Sequence, residues 1–338
     1  METTSMKRLA VALSLTSALF LSACGSTPSA ATSPSGGGGD AKGKKVTLLT
    51  VAQSCDYCAK HTEEFKKVAE AAGIQVTVVV NDFNAAEQAQ QVTQAISTHP
   101  DAVVLWPADA TAITPSLQRL KQSKIPVVVT NSHPQTEDES LWTTFTGPDD
   151  YANGQEAAKA MIAGFKAKGF GDSGSVAIVE GVPGTPPAIN RTKGFKDELA
   201  KTAPGITVAG SQPGNWDQTQ ATSAAASLIT QFGNKNLRGI YAQADNMLAG
   251  AIVAAERAGL KSSDVTMVGS NCSIEGYTGI QKGVQYASVL QSPIEDGEFA
   301  AKAVIDVLEG KGVQKNNYLT PKTITKANLA DCAAAVGK

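Results

Sequence analysis

The sequence is poor in the side chains that most enzymes use for acid–base and nucleophilic chemistry. Its 338 residues include only three histidines and five cysteines, and no Gly-x-Ser-x-Gly nucleophile segment is present. Two loop glycines, Gly181 and Gly184, and the later Gly194 do not form the Gly-x-Gly-x-x-Gly pattern of dinucleotide sites. We therefore predict neither an enzyme nor a protein with a bound cofactor.

The sequence also has no large excess of positive or negative charge. The chain has 29 Lys and Arg against 31 Asp and Glu, and its formal net charge is −2. The basic residues are scattered along the sequence, so nothing indicates nucleic-acid binding. After the N-terminal segment, no hydrophobic run approaches the length of a membrane span.

The N-terminus has the pattern of a targeting segment. Lys7 and Arg8 precede a short apolar run, Leu9 to Leu21. The run ends in Leu-Ser-Ala-Cys, residues 21–24, which resembles a bacterial lipobox. The resemblance implies a signal peptide over residues 1–23 and a lipid on Cys24; an ordinary secretory signal is the alternative.

Residues 24–45 have the composition of a tether. They are rich in Ser, Thr, Pro, Ala and Gly, with four consecutive glycines at Gly36 to Gly39. Such a segment has too few apolar side chains to bury. We predict a flexible linker between a lipid anchor at the membrane and a soluble domain.

From Val46 onward, apolar strand-like runs alternate with amphipathic helices. One series extends from Val46 to Lys168, and a second begins at Val176 and ends with the helix Pro293–Leu308. We predict an α/β fold with two doubly wound parallel-sheet domains.

The second series begins with the stretch Val176 to Phe195. A buried strand is predicted to end at Glu180, a Gly/Pro loop occupies residues 181–187, and a helix carries Arg191 in its first turns. Ligands of open α/β sheets bind outside the carboxyl ends of the strands. Arg191 is therefore a candidate binding residue rather than a solvated surface residue.

Six segments at predicted strand ends together carry a family resemblance. They are Pro-Val-Val-Val-Thr-Asn (126–131), Arg-Thr-Lys-Gly-Phe (191–195), Ser-Gln-Pro-Gly-Asn-Trp-Asp (211–217), Tyr-Ala-Gln-Ala-Asp-Asn-Met (241–247), Val-Gly-Ser-Asn (268–271) and Val-Leu-Gln (289–291). In this order and spacing the chain resembles the ribose-type periplasmic sugar-binding proteins, the substrate-binding subunits of ABC importers.

The resemblance implies a set of ligand-binding residues. Tyr57 and Trp216 match positions where aromatic rings sandwich the sugar. The positions that hydrogen-bond sugar hydroxyls are matched by Asn131, Arg191, Asn271 and Gln291. Asp245 matches a position near the site, with capping of its own helix as the alternative. Trp106, at a strand end, either fills space in the site or packs in the core.

Departures from the family pattern make the site less charged. The family typically has an acid where this chain has Asn131, an arginine at Ser132, and an acid at Asn271. A second aromatic is often found where this chain has Cys58, and an asparagine at Ala244. These changes favour a neutral monosaccharide or polyol and leave ribose itself in doubt.

The resemblance also implies a two-lobed molecule joined by a three-strand hinge. One lobe comprises residues 46–148 plus 292–321, and the other comprises 149–291 plus 322–338. We expect a monomer that takes a sugar from solution and passes it to an ABC importer permease at the membrane. A chemoreceptor or quorum-signal receptor on the same fold is an alternative function.

The four remaining cysteines, Cys55, Cys58, Cys272 and Cys332, favour disulfides in an exported protein and permit three connectivities. We expect Cys55–Cys58 and Cys272–Cys332, because Cys332 lies in a C-terminal helix that can return to the strand end before Cys272. The Cys55–Cys58 spacing also fits a thiol–disulfide oxidoreductase. His61 extends it to Cys-x-x-Cys-x-x-His, but without an evident fourth ligand we predict no metal site.

Overall fold

The computed structural model of the protein describes residues 40–233 and 236–336. The signal peptide predicted over residues 1–23, the lipidation site Cys24 and most of the tether lie outside the described residues. In the described part of the chain, no helix is both long and apolar enough to cross a membrane.

The described residues form two six-stranded sheets with helices on both faces. The chain first builds β1 (Lys45–Thr50), α1 (Asp56–Ala71), β2 (Gln75–Val80), α2 (Ala85–Ser97), β3 (Ala102–Leu105), α3 (Thr114–Gln122), β4 (Val127–Thr130) and β5 (Thr144–Pro148). It continues with α4 (Asp150–Ala167), β6 (Gly174–Glu180), α5 (Pro186–Thr202), β7 (Ile206–Pro213), α6 (Gln218–Phe232), β8 (Leu237–Ala242), α7 (Asp245–Arg257), β9 (Thr266–Asn271), α8 (Ile274–Lys282) and β10 (Ala287–Leu290). It ends with α9 (Pro293–Leu308), β11 (Asn316–Leu319), β12 (Lys322–Ile324) and α10 (Ala330–Ala335).

The two sheets have the same strand order. The first sheet runs β11-β5-β4-β3-β1-β2, and the second runs β12-β10-β9-β8-β6-β7. In each sheet the first strand of the series pairs on one side with the second strand and on the other with the third, so the order reverses there. A crevice outside the strand ends at such a reversal is the general ligand position in this class of sheet.

Apolar strands buried on both faces explain this architecture. On β1, Leu48 packs with Phe65 and Val304 on one face, while the adjacent Leu49 packs with Leu117 on the other. A strand covered on both faces must be apolar at successive positions. The predicted fold class, two parallel-sheet α/β domains, is confirmed.

Most predicted helices and strands agree with the structure to within a few residues. Asp149 caps α4, accepting from the Ala152 amide at 2.9 Å. Three strands were not predicted: β5, β11 and β12. Their sequences, Thr-Phe-Thr-Gly-Pro, Asn-Asn-Tyr-Leu and Lys-Thr-Ile, lack an apolar run. β12 also runs antiparallel to β10, so the second sheet is mixed rather than purely parallel.

The chain passes between the sheets three times. It crosses between β5 and α4, between β10 and α9, and between β11 and β12. Helix α9 returns to the first sheet and packs on α1. These crossings bring residues from distant parts of the sequence together between the two sheets.

The predicted tether, residues 24–45, extends too far into the folded part of the chain. Ala41 is buried in the core of the first sheet, and Lys45 is the first residue of β1. Lys44 donates to the Asp101 carboxylate at 3.1 Å, and the Gly43 amide donates to the Gly73 carbonyl at 2.8 Å. A few backbone and ion-pair contacts order this segment despite its polar composition.

Candidate functional site

One cavity lies where strand ends of both sheets face each other, with a volume of about 100 Å³. The structure places all eight residues predicted to bind ligand in its wall: Tyr57, Trp106, Asn131, Arg191, Trp216, Asp245, Asn271 and Gln291. Seven of them follow β1, β3, β4, β6, β7, β8 and β10, and Asn271 is the last residue of β9. The strand order explains why positions so distant in sequence share one wall.

Helix α5 aims Arg191 at the cavity. The helix begins at Pro186, so Pro186 and Pro187 form its first turn rather than the end of the loop as predicted. Proline is tolerated there because the first helical N–H groups have no partner inside the helix. A Cβ on Gly154 of α4 would lie 2.2 Å from the Arg191 carbonyl oxygen, so α4 and α5 pack at a distance only glycine permits.

This close approach pairs Arg191 with Asp150, the first residue of α4. Arg191 Nε donates to Asp150 Oδ1 at 2.9 Å, and both side chains are buried. Burial raises the pKa of Asp150 to about 6, with the Arg191 charge acting in the opposite direction. The positive charge at this side of the cavity therefore has a protein counter-ion.

Other donors of Arg191 are also used by protein groups. Nη1 donates to the Gln243 carbonyl at 2.6 Å, and Nη2 donates to Gln291 Oε1. A guanidinium has five N–H groups, and three of them have these partners. The group is thus rigidly held while it still faces the cavity.

The aromatic ring of Trp216 lies against the Arg191 guanidinium, with its centroid 5.9 Å from Cζ. A Cβ on Gly181 would lie 1.9 Å from a ring atom of Trp216, so the ring occupies space that only glycine leaves open. Trp216 itself adopts a positive φ of 59°, and its carbonyl accepts from Asn246 Nδ2 at 2.8 Å. The ring is held at the cavity by backbone geometry as well as packing.

Asp245 lies in the cavity wall, as the family resemblance implies, and does not cap its own helix. It is the first residue of α7, whose N-cap is Ala244 and has no side-chain cap bond, so capping of its own helix is excluded. Its oxygens accept from Gln285 Nε2 at 2.7 Å, Ser288 Oγ at 2.7 Å and the Ser273 amide at 3.0 Å. Burial raises its pKa to about 7. Asp245 lines the cavity, but its oxygens mainly tie α7 to β10 and to the segments before and after α8.

Gln291 connects the two sides of the cavity. It follows β10, where the chain crosses back to the first sheet. Its Oε1 accepts from Arg191, and its Nε2 donates to the Tyr57 hydroxyl oxygen at 2.9 Å. Asn271 lies beside it at the end of β9, with a positive φ of 90°.

On the first-sheet side, polar groups converge on one buried acid. Asp296, in the first turn of α9, accepts from the Tyr57 hydroxyl at 2.9 Å and from Asn131 Nδ2 at 2.7 Å, both at Oδ2. Burial raises the pKa of Asp296 to about 7, against the lowering effect of the Asn131 and Tyr57 hydrogen bonds. Burial and the neighbouring Asp296 raise the pKa of Tyr57 well above its usual value.

Trp106 is both a core residue and part of the cavity wall. It is buried, its ring meets the ring of His61 edge-on at 4.8 Å, and its Nε1 donates to Ser132 Oγ at 3.1 Å. It also packs edge-on against Tyr57 at 6.1 Å. The two sequence interpretations of Trp106 are therefore compatible.

Comparison with known proteins identifies the family. The sequence pattern of the periplasmic binding protein domain matches residues 46–312. The chain belongs to the periplasmic binding protein family. The resemblance noted in the sequence is confirmed, and the family consists of binding proteins rather than enzymes.

Relatives cover nearly the whole chain. The fructose import binding protein of Bifidobacterium longum is 26% identical over 96% of this chain and 96% of its own length. The xylitol-binding protein of Mycolicibacterium smegmatis is 28% identical over 92% of this chain and 83% of its own. A crystal structure of a galactofuranose binding protein superimposes with a TM-score of 0.78 at 26% identity, covering 86% of this chain and 97% of that one.

Three of the four paired cysteines of this periplasmic binding protein, Cys55, Cys58 and Cys272, border the cavity. The structure pairs Cys55 with Cys58, with Cα atoms 5.2 Å apart, and Cys272 with Cys332, with Cα atoms 5.6 Å apart. The first pair lies at the start of α1 and the second joins the end of β9 to α10. This is the pairing expected from the sequence, with the sulfur atoms at bonding distance.

The metal alternative receives no support from the position of His61. Its Nε2 lies 3.0 Å from Thr130 Oγ1, and burial lowers its pKa to about 3. Among the residues that the structure describes, no group of three or more His, Cys, Asp or Glu side chains is arranged to hold a metal ion.

Sequence reasoning missed two acids of the site, Asp150 and Asp296. Each lies in the first turn of a helix that follows a crossing between the sheets. From the sequence, each acid is explained by its place in the first turn of a helix, where acidic residues are common. Their burial is what indicates a role in the site beyond the helix start, and the sequence does not reveal it.

Proposed function

We propose that this protein is an extracytoplasmic solute-binding protein that captures a neutral monosaccharide or polyol between its two sheets and delivers it to an ABC importer. The supporting observation is the cavity wall. Aromatic rings reach it from both sides, Tyr57 from the first sheet and Trp216 from the second, among amide and hydroxyl groups. Such rings offer flat apolar faces to sugar C–H groups.

The cavity is small, and both cations described in its wall are paired with protein carboxylates. Asp150 balances the charge of Arg191, and Asp56 pairs with Lys60, the other cation that the structure describes in the wall. The volume of about 100 Å³ is several times the roughly 10–15 Å³ that one water molecule requires. This space suits a single sugar or polyol rather than an oligosaccharide.

Titration calorimetry tests the proposal directly. The panel is D-fructose, D-ribose, L-arabinose, D-galactose, xylitol and myo-inositol, and we expect at least one to bind. The matched variant Trp216→Ala should bind the same compound more weakly through lost ring contact. Absence of binding by every compound would contradict the proposal.

We propose that residues 46–148 plus 292–321 and residues 149–291 plus 322–338 are lobes that open about the three crossings. Contacts between the two sides support a closed form here: Gln291 bonds Tyr57, and the Ala110 amide approaches the Gly184 carbonyl at 3.4 Å. A ligand touching both lobes shifts the equilibrium only by its greater affinity for the closed form. Small-angle scattering should therefore give a smaller radius of gyration with the bound compound than without it; an unchanged radius would count against lobe closure.

We also propose that lipidation of Cys24 anchors the protein outside the cytoplasmic membrane, beside its permease, as a monomer. The support is the lipobox-like segment and the Gly-rich residues after it. Cys24→Ala should move the protein from the membrane to the soluble fraction. A variant that stays as membrane-bound as the parent would contradict lipidation.

Thiol–disulfide exchange is the second candidate, and one observation favours it. Cys55 is only half-buried, lies at the start of a helix and borders the cavity. Helix N-termini favour thiolates and make such cysteines reactive. Catalysis of insulin reduction by dithiothreitol, lost in Cys55→Ser, would support this function; no acceleration over the uncatalysed rate would exclude it.

A further inference from the structure

Asn131 is held by its backbone in one position. It follows β4 with a positive φ of 60°, and its amide donates to the Thr146 carbonyl at 2.8 Å. A Cβ on Gly147 of β5 would lie 2.8 Å from Asn131 Cα, so the neighbouring strand leaves no space for it to shift. The remaining freedom is which end of the side-chain amide faces the protein and which faces the cavity.

Asp296 decides that choice. Burial raises the pKa of Asp296 to about 7, so at pH 8 its carboxylate is ionised and can only accept hydrogen bonds. An amide touching it must then present its nitrogen. Asn131 Nδ2 lies 2.7 Å from Asp296 Oδ2, and both side chains are buried. The carbonyl oxygen of Asn131 is therefore turned away from Asp296, towards Ser132 Oγ at 3.3 Å on the cavity wall.

The same acid orients a second chain of groups. The Tyr57 hydroxyl donates its proton to Asp296, so the Tyr57 oxygen is left to accept from Gln291 Nε2. The Gln291 carbonyl oxygen then accepts from Arg191. Donor and acceptor directions on both sides of the cavity are thus consistent with one ionised Asp296.

We propose that Asp296 is a positioning residue that makes Asn131 a hydrogen-bond acceptor, so that the first-sheet side of the site selects a ligand hydroxyl as donor. This inference rests on the proposed function. Asp296 lies behind Asn131 and Tyr57, and it acts on the ligand only through them. A site that instead presented the Asn131 NH₂ group would favour a ligand acceptor at the same place.

An exchange of the acid and the amide tests this role. In Asp296→Asn, the new amide no longer requires Asn131 to present nitrogen, and affinity for the panel compound that binds the parent should fall about tenfold. In the double variant Asn131→Asp, Asp296→Asn, the amide at position 296 can donate to the carboxylate at position 131 and accept from Tyr57. The carboxylate at position 131 then faces the cavity as an acceptor, and affinity should return to within about threefold of the parent.

The matched control uses another buried acid of the cavity, Asp245, whose described hydrogen bonds do not include Asn131. Asn131→Asp should not restore affinity to Asp245→Asn. Thermal unfolding of every variant without ligand separates a folding defect from a binding defect, because the exchanged pair should also recover stability.

Calorimetry at pH 8, where Asp296 is ionised, distinguishes a failure of the proposed function from a failure of this inference alone. If no compound of the panel binds the parent, the proposed function fails and this inference with it. If a compound binds the parent, but Asp296→Asn binds equally well or the exchanged pair stays as weak as Asp296→Asn, only the inference about Asp296 is overturned.

Discussion

Asp150 and Asp296 have equivalent surroundings on the two sides of the cavity. Each lies in the first turn of a helix that directly follows a crossing between the sheets. Each helix reaches its neighbour through a glycine, Gly154 against Arg191 and Gly297 against His61. A Cβ at Gly297 would lie 2.4 Å from the His61 carbonyl oxygen, just as one at Gly154 would meet Arg191. The fold thus places a buried acid at an equivalent position behind each side of the site.

The partners of the two acids differ. Asp150 has a cation, whereas Asp296 has only the neutral donors of Tyr57 and Asn131 among its described hydrogen bonds. Burial raises the pKa of both, to about 6 for Asp150 and about 7 for Asp296. The same backbone arrangement thus supports a balanced ion pair on one side and an acid without a cationic partner on the other.

Removing the cation should have the largest effect. Arg191→Ala leaves Asp150 buried without its counter-ion, and breaking a buried pair in this way costs about 3–5 kcal/mol of unfolding free energy. Asp296→Ala should cost less, about 1–3 kcal/mol, because it leaves only neutral donors unsatisfied. Chemical denaturation at pH 7 measures both.

Adding Asp150→Ala to Arg191→Ala is the control, since no unpaired charge then remains. The double variant should be more stable than Arg191→Ala alone. Equal losses of unfolding free energy in Arg191→Ala and Asp296→Ala would show that the cationic partner of Asp150 and the neutral partners of Asp296 do not make the two sides differ in stability.

The two cysteine pairs should differ in how strongly they stabilise the two sides of the cavity. Cys272 and Cys332 are 60 residues apart and fix α10, whose Ala335 borders the cavity; Cys55 and Cys58 are 3 residues apart. A longer closed loop constrains the unfolded chain more, so Cys272→Ser, Cys332→Ser should cost about 4 kcal/mol and Cys55→Ser, Cys58→Ser about 2 kcal/mol. Denaturation midpoints of the two double variants decide this.

Peptide mapping without reductant is the control; four free thiols would contradict the pairing.

The pH dependence of stability should reveal the buried acids. Asp150, Asp245 and Asp296 have raised pKa values in the folded state. From about pH 4 to 7 the folded state therefore binds more protons than the unfolded state, and the contribution of these acids to the free energy of unfolding falls as the pH rises. His61, with its pKa lowered to about 3, opposes this below pH 6.5. Three acids against one histidine predict a lower unfolding free energy at pH 8 than at pH 6.

Denaturation at constant ionic strength across this range measures the slope. Asp296→Asn should make the profile flatter by removing one of the three acids. A slope unchanged by this substitution would mean that Asp296 stays ionised throughout.

Tyr57→Phe should have the smallest effect. It removes the hydroxyl between Asp296 and Gln291 but keeps the ring beside Trp106. Loss of a hydroxyl linked to a charged acceptor predicts about 1–2 kcal/mol of destabilisation. Thermal unfolding measures it, with Tyr318→Phe at an exposed tyrosine as the control. A loss no greater than that of the control would show that the Asp296 side is not tied to Gln291 through Tyr57.

Strand and helix positions were largely predictable because a strand buried on both sheet faces requires an apolar run. The location of the site was predictable because ligands of such sheets bind at the strand ends. The eight candidate residues were found by that rule together with the family resemblance, and all lie in one cavity wall. Polar edge strands such as β11 and β12 were missed because pairing with an existing sheet, not their own composition, makes them strands.

The sequence alone determined the two βα series, the segments at their strand ends and the glycines beside them, because these follow from local periodicity and backbone sterics. Only the tertiary structure decided that Asp150 meets Arg191 while Asp296 meets Tyr57 and Asn131. Those contacts join residues 41, 239 and 165 positions apart. Burial and partner identity at such distances arise when the crossings bring the two sheets together, and they set the charge and hydrogen-bond direction of the site.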